Sequence, residues 1–397
     1  MMMLSRKIQQ IEESHTLALT AKAKRMKEEG IDVISLTAGE PDFPTPRHVK
    51  EAAIRAIEAD FTHYTANQGI RELVEAIIHK FSSENDLHFS PRQILVSNGA
   101  KHSIYNALQA ICRPGDEVVF FSPYWVSYPA MVRLADATPV VVPTRLENGF
   151  SPDPRGLRRA INQRTKAIIL NSPGNPTGAV YPRSLLEEIA AIVKETGVFV
   201  ISDEIYEKVI YNGAMHFSIG SVRAIRDQVI TVNGVSKAYA MTGWRIGYMG
   251  GPEEVIAAAG RLQSQVSSNA NSIAQKATVA ALGGSQRDID MMVEEFHRRR
   301  DAGHALLKEI RGVDVPLPAG AFYFLFSVAP FIGREAGSQR MKDTADIAAY
   351  LLDHHHVATV PGSAFGAPDC LRISYACAMD DLEQGVRRLR RGLEELH

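Results

Sequence analysis

Three cysteines in 397 residues, Cys112, Cys370 and Cys377, are too few for a disulfide framework and form no C-x-x-C pair. A reducing, cytoplasmic setting is expected. Long apolar runs are missing as well. No uninterrupted stretch approaches a membrane span. The opening "MMMLSRKIQQIEESHTLALTAKAK" carries charges where a signal peptide would hold its apolar core. Charge of one sign is also lacking: 44 Lys and Arg stand against 45 Asp and Glu, a formal net charge of −1. No overall field or basic stripe favours nucleic acid. The runs "HRRR" (297–300) and "RRLRR" (387–391) lie in apolar-spaced helical stretches and read as solvated helix faces. Nucleotide and metal motifs are absent: no G-x-G-x-x-G opening a helix, no G-x-x-x-x-G-K-[ST] and no H-E-x-x-H. "DHHHV" (353–357) lacks an obvious set of further ligands and reads as the polar end of an element, so no metal is expected. What remains is a soluble chain without nucleic-acid or membrane partner.

The chain is 45% hydrophobic and 22% charged, enough for a large core. From about residue 90 to 250, apolar runs alternate with helical stretches. "QILVS" (93–97), "EVVFF" (117–121), "TPVVVP" (138–143), "KAIIL" (166–170), "VFVIS" (198–202) and "QVITV" (228–232) read as strands. The helix "PRSLLEEIAAIVKETG" (182–197) opens with proline and closes with glycine. Strands separated by helices imply βαβ units and a mainly parallel sheet covered on both faces. Beyond residue 283 the alternation stops. A long amphipathic helix, "AFYFLF" (321–326), "LRISYA" (371–376) and a closing helix suggest a smaller α+β domain, with which the first ~45 residues would pack.

Ligands of open parallel sheets bind beyond the C-terminal ends of the strands. After "ILVS" come Asn98-Gly99-Ala100-Lys101 and a helix start, where free backbone N–H groups favour a phosphate. "SPYWVSYP" places Trp125 at the same edge, "NSPGNPTG" places Asn171 and Asn175, and "VFVIS" is followed by Asp203, Glu204 and Tyr206. After the last strand comes "NGVSKAYAMTGWRIGY" (233–248), with Ser236, Lys237 and Arg245 and no acidic residue. Alone, Lys237 could be a snorkelling side chain or an amine kept poorly solvated so that it reacts. Together the groups form a set: an amine for an imine, an acid for a ring nitrogen, an aromatic to stack, amide and phenol donors, and an anion cup. Pyridoxal 5′-phosphate requires such a set.

The stretches "SLTAGEPDFPTP" (35–46), "YTANQGI" (64–70), "NSPGNPTGAVY" (171–181), "SDEIYE" (202–207) and "SKAYAMTGWRIGY" (236–248) resemble the fold-type I pyridoxal-phosphate aminotransferases of class I. The bacterial aspartate aminotransferase branch, the gamma subgroup, is the most similar. The likeness spans essentially the whole chain. It implies an α/β fold with a large cofactor domain (46–285) built on a mainly parallel seven-stranded sheet, and a smaller α+β domain (1–45 and 286–397). It implies that Lys237 is the Schiff-base lysine and that Asp203 partners the pyridine nitrogen. Tyr206 and Asn175 would face the ring's phenolate oxygen and Trp125 would stack on the ring. Gly99, Ala100, Lys101, Ser236 and Arg245 would line the phosphate cup, with Tyr64 reaching it from the other subunit of a homodimer with shared active sites. Gly39 and Arg372 would hold the substrate α-carboxylate, beside Trp125 and Asn175. Ping-pong exchange between amino acids and 2-oxo acids follows.

Within that resemblance Lys101 and Thr16 match positions that approach a substrate's distal carboxylate. Relatives that accept prephenate tend to carry a lysine four residues before that threonine, where this chain has Glu12. An acid there disfavours a further carboxylate. L-Aspartate with 2-oxoglutarate is therefore expected first, with prephenate or aromatic amino acids second. Another pyridoxal-phosphate activity, such as a C–S lyase, and a non-catalytic binding role are the alternatives from other classes.

Overall fold

The computed structural model describes residues 5–9, 11 and 15–397, the side chains of residues 6 and 15–20 excepted. Its centre is a seven-stranded sheet: β1 (Ile94–Ser97), β2 (Glu117–Ser122), β3 (Thr138–Pro143), β4 (Thr165–Asn171), β5 (Phe199–Asp203), β6 (Val229–Gly234) and β7 (Gly247–Gly250). The spatial order is β1-β7-β6-β5-β4-β2-β3. Pairing is parallel from β3 across to β6, and β7 runs antiparallel to both β6 and β1.

Side-chain alternation explains the double cover. Val118, Phe120, Ala167, Ile169 and Ile201 face one helical layer, which includes Ile104, Leu108, Val132 and Ile256. Val119, Phe121, Ile168, Leu170 and Val200 face the other, which includes Leu186, Ile189 and Val193. The helix Arg183–Thr196 begins after Pro182 and ends on Gly197, whose φ of 73° lets its N–H reach the Val193 carbonyl. That is the punctuation the sequence carries. The seventh strand is not apparent in the pattern, because "GYMG" is half glycine and lacks a strand's side chains. Gly247 is there for space: a Cβ would lie 2.2 Å from the Ala100 nitrogen and 2.3 Å from the Gly99 carbonyl carbon.

The chain beyond residue 286 builds a further core. Strands Tyr323–Ser327, Cys370–Ser374 and Val360–Pro361 form an antiparallel sheet, with Arg372 opposite Leu325 and Val360. Helices Arg287–Lys308, Thr344–His355 and Met379–Glu394 cover it through Phe296, Leu351, Leu382 and Leu389. Residues Ile34–Ser35 pair in parallel with Val357–Ala358, which ties the early segment to this part of the chain. Ile205, Tyr206, Val209 and Tyr211 leave the large sheet after β5 and bury themselves in the same core. No helix among the described residues is long and apolar enough to cross a membrane.

One expectation is overturned here. Half of "HRRR" is interior rather than solvated: Arg299 and Arg300 are buried. Arg299 donates to both oxygens of Asp42 (2.8 and 3.0 Å) and to Glu295 (2.8 Å). Arg300 donates to Asp301 and to the Pro318 carbonyl, with its guanidinium 4.8 Å from the Tyr211 ring centroid. Helical periodicity marks the buried stripe but cannot show that acidic and carbonyl partners wait there.

Gly247→Ala should destabilise the cofactor-free protein by about 1–3 kcal/mol through backbone overpacking. Gly283→Ala, whose Cβ meets nothing within 4 Å, should stay within about 0.5 kcal/mol. Urea unfolding midpoints measure both, and equal effects would contradict the packing argument.

Candidate active site

The turns after β1, β2, β4, β5 and β6 meet at one edge of the sheet. After β1, Gly99 takes φ +87° and opens the helix Ala100–Ile111. A Cβ at Gly99 would lie 2.3 Å from a terminal nitrogen of Arg245, so only glycine lets that guanidinium rest on the backbone. Arg245, itself in left-handed backbone (φ 56°), donates to the carbonyls of Thr242 (2.8 Å) and Asn98 (3.3 Å). The helix start leaves the N–H groups of Ala100 and Lys101 without intrahelical acceptors. With buried Ser236, which follows β6 two strands away, these groups make a cationic, donor-rich cradle suited to a phosphate.

Asp203 ends β5 and is buried. Tyr128 donates to its Oδ2 at 2.7 Å and the Ile205 N–H to its Oδ1 at 3.4 Å. Burial pushes the carboxyl up to about 6 despite those two bonds; the Glu204 charge adds to the rise and Lys237 opposes it. Trp125 meets Tyr128 edge-to-face, centroids 5.5 Å apart, with the Lys101 ammonium 4.9 Å from its own ring centroid. The Tyr206 hydroxyl pairs with that of Tyr323 at 2.8 Å.

Lys237 donates from Nζ to the Gly39 carbonyl. Burial lowers its ammonium to about 8, with Arg372 and Arg245 adding to the fall and Glu40 and Asp203 opposing it. The local sequence around Lys237 has no acid; tertiary folding supplies two. Glu40 accepts a 2.6 Å bond from Thr242, one turn beyond the lysine.

Arg372 is 4% exposed and stands under this group. Its guanidinium donates to Asn175 Oδ1 (3.1 Å) and the Thr37 carbonyl (2.9 Å) and lies 4.5 Å from the Tyr323 ring centroid. Its Nε is buried without a partner. No carboxylate offsets it among the described residues; burial lowers its proton affinity and only the Tyr323 and Tyr206 hydroxyl groups oppose the fall. A buried guanidinium with an open donor calls for a planar anion from outside.

The chain thus brings together Gly39, Gly99, Ala100, Lys101, Trp125, Asn175, Asp203, Tyr206, Ser236, Lys237, Arg245 and Arg372. It does not bring in Tyr64, which is 90% exposed. Thr16 lies in the helix His15–Glu28, but its side chain is outside the described residues, as is Glu12 altogether. Sequence reading passed over Tyr128, Tyr323, Glu40 and the Thr37 carbonyl. Tyr128 stands one helical turn after Trp125, a spacing that could have marked it; nothing local marks Tyr323. The residues present fit pyridoxal 5′-phosphate: the glycine-backed cradle suits its phosphate, buried Asp203 its ring nitrogen, and Lys237 its aldehyde.

Comparison with known proteins gives the same picture. The family described as aminotransferase class I and II matches residues 31–389. A bifunctional aspartate aminotransferase and glutamate/aspartate-prephenate aminotransferase of Petunia hybrida is 48% identical over 395 residues, covering 98% of this chain and 82% of that protein. The crystal structure of the aspartate aminotransferase from Rhizobium meliloti superposes with a TM-score of 0.96 at 41% identity, covering all of both chains. That of Thermus thermophilus aspartate aminotransferase with maleate gives 0.93 at 45% identity, covering 99% of this chain and 100% of the other.

At pH 8 an amine with a value of about 8 is half neutral, against about 0.4% for an ordinary lysine. An acylating reagent at that pH should modify Lys237 of the cofactor-free protein first, and selectivity should fade as the pH rises toward 10. Peptide mass mapping reads it; uniform labelling would refute the lowered value.

Proposed function

The chain belongs to the class I and II aminotransferases, enzymes that work with pyridoxal 5′-phosphate on amino acids and 2-oxo acids, and on that premise we propose that it exchanges the amino group between L-aspartate and 2-oxoglutarate. The observation that carries the assignment to an amino acid's α-carboxylate is Arg372, a buried guanidinium with an unpaired Nε. Aspartate is favoured because the relatives with this architecture are named aspartate aminotransferases, one of them in a structure with the dicarboxylate maleate. Lys101, exposed but with its ammonium 4.9 Å from the Trp125 ring centroid, offers a cation for the distal carboxylate, together with Thr16.

In this reading Gly99, Ala100, Ser236 and Arg245 hold the phosphate, Trp125 covers the ring, and Tyr206 and Asn175 face its phenolate oxygen. Bound there, pyridoxal 5′-phosphate supplies an aldehyde that exchanges amines and a ring that draws electrons from the substrate Cα. Asp203 keeps a proton on the ring nitrogen; the cost of its buried charge is offset once that cation is beside it. Arg372 and Asn175 fix the α-carboxylate, with the Gly39 backbone alongside. Lys237 Nζ would take the proton from the substrate Cα and deliver it to the carbon of the cofactor's aldehyde, two bonds away across the amino nitrogen, and its lowered value would let it act both as base and as acid near neutrality.

A homodimer is part of the proposal. Tyr64 is exposed in one chain, and an open concavity of about 770 Å3, lined in part by Asn98, Trp244 and Arg245, borders the phosphate cradle. Tyr64 of the partner subunit would reach the phosphate across it. We place the cofactor domain at 46–285 and the smaller domain at 1–45 and 286–397, supported by the pairing of Ile34–Ser35 with Val357–Ala358. The Petunia relative's name favours a second reading, in which prephenate also serves as acceptor.

The cofactor-loaded protein should absorb in the visible, and L-aspartate added without acceptor should bleach that band. A band unmoved by aspartate would refute the substrate, whereas recovery of the bleached band on adding prephenate would establish the second reading. Arg372→Gln should lower kcat/KM for aspartate by about 100-fold or more, as expected for a desolvated charge pair. Asp203→Asn should retain cofactor but slow single turnover by orders of magnitude; near-normal rates there would remove Asp203 from the chemistry.

A further inference from the structure

The turn that follows β5 presents two faces. Asp203 and Tyr206 face the site, bonded to Tyr128 and Tyr323. Glu204 and Glu207, each one residue later, enter a buried polar cluster. Glu204 accepts from Ser202 (2.9 Å) and Ser218 (2.7 Å) on one oxygen and meets His216 Nε2 (3.0 Å) with the other. Glu207 is ion-paired with Lys80, accepts from Asn85 (2.8 Å) and lies 3.9 Å from the same His216 nitrogen. Lys80 also donates to Asn85 Oδ1 at 2.7 Å. Lys80, Glu204 and Glu207 are all buried, and His216 keeps 11% of its side chain exposed.

Charge counting decides what this cluster needs. Two buried carboxylates face one ammonium. Glu84 approaches Lys80 at 3.6 Å but is bound at 2.7 Å by Lys208 near the rim. Tyr239 and Tyr248, also near Glu207, are pushed upward by burial and stay neutral. One negative charge is left, and among the described residues His216 is the titratable group hydrogen-bonded to Glu204. Glu204, Glu207 and His216 have ligand atoms within 4.8 Å of one another. With Lys80 already on Glu207, a single proton rather than a divalent cation balances them.

We propose that His216, as an imidazolium bonded to Glu204, is a positioning residue of the reaction, holding from behind the turn that presents Asp203 and Tyr206. The inference rests on the roles given to those two residues above. Burial works against the charged ring, but Glu204, by charge and hydrogen bond, and then Glu207 outweigh it, so the imidazole is held above its ordinary range. The sign follows. A raised histidine contributes stability that is complete below its unfolded value, about pH 6.5, and is lost as pH rises through the higher folded value. Deprotonation leaves Glu204 uncompensated next to Asp203, whose proton affinity Glu204 already raises.

The test uses the cofactor-loaded protein. The His216 ring, labelled and followed by NMR, should titrate above the ordinary imidazole range, and Glu204→Gln should bring it back down. His216→Asn should lower kcat for aspartate about tenfold with KM within twofold, and should flatten the loss of stability as pH rises above the ordinary imidazole range. The double variant His216→Asn/Glu204→Gln should regain most of that kcat, since the unbalanced charge is gone. A ring titrating at or below its ordinary range, or additive effects of the two substitutions, would overturn the proposal. Should His216→Asn fail to fold, the titration of the unmodified protein and of Glu204→Gln still decides. Failure of the Asp203 role shows separately, as unslowed single turnover in Asp203→Asn with the His216–Glu204 coupling intact.

Discussion

Asp203 sets the terms for everything around it, because a carboxylate buried at the end of a parallel strand is stable only if donors or a cation come to it. Tyr128 and the Ile205 N–H supply two bonds, yet burial still lifts the acid to about 6. A protonated ring nitrogen would supply the missing positive charge. The tyrosine donor comes from the turn after β2, the carboxylate from β5 and the opposing amine from the turn after β6. A parallel sheet places all three at one edge.

The same economy of charge runs through the site. Lys237 and Arg372 are both held below their ordinary proton affinity by burial. Lys237 has Glu40 and Asp203 nearby to oppose the fall, whereas no carboxylate among the described residues offsets Arg372. A guanidinium already fixed by neutral acceptors acts strongly on an incoming carboxylate, because no internal ion pair has to be broken first. Glycine makes the crowding possible: Gly99 carries the Arg245 guanidinium against its α-carbon, and Gly247 brings β7 up to the helix start.

Two cores are coupled through this edge. The segment from Ile205 to Tyr211 leaves the large sheet and packs beside Phe296, Phe322 and Tyr375. Tyr206 and Tyr323, joined by their hydroxyls, therefore bridge a turn of one part and a strand of the other. Arg299 does similar work from the long helix, binding Asp42 and so fixing the stretch that carries Gly39 and Glu40. The position of substrate groups depends on how these cores meet.

Much of this was written in local order. Short apolar runs alternating with helical stretches gave six strands of the large sheet, proline and glycine gave helix ends, and groups directly following strands gave Gly99, Trp125, Asn175, Asp203 and Lys237, because a parallel sheet turns sequence position into spatial position. The family resemblance supplied the seventh strand and Arg372. The buried half of "HRRR" was misread, since periodicity shows a stripe but not the partners Asp42 and Pro318 that make it habitable. Tyr128 on Asp203, Tyr323 on Tyr206, Glu40 near Lys237 and His216 on Glu204 come from residues 12 to 197 positions apart, or from turns with no regular period. The sequence by itself determined the sheet and the residue types at its edge; only the tertiary structure decided which charges are buried, what each one meets, and hence its proton affinity. Burial and Coulomb interaction depend on distance in space, which local pattern does not carry.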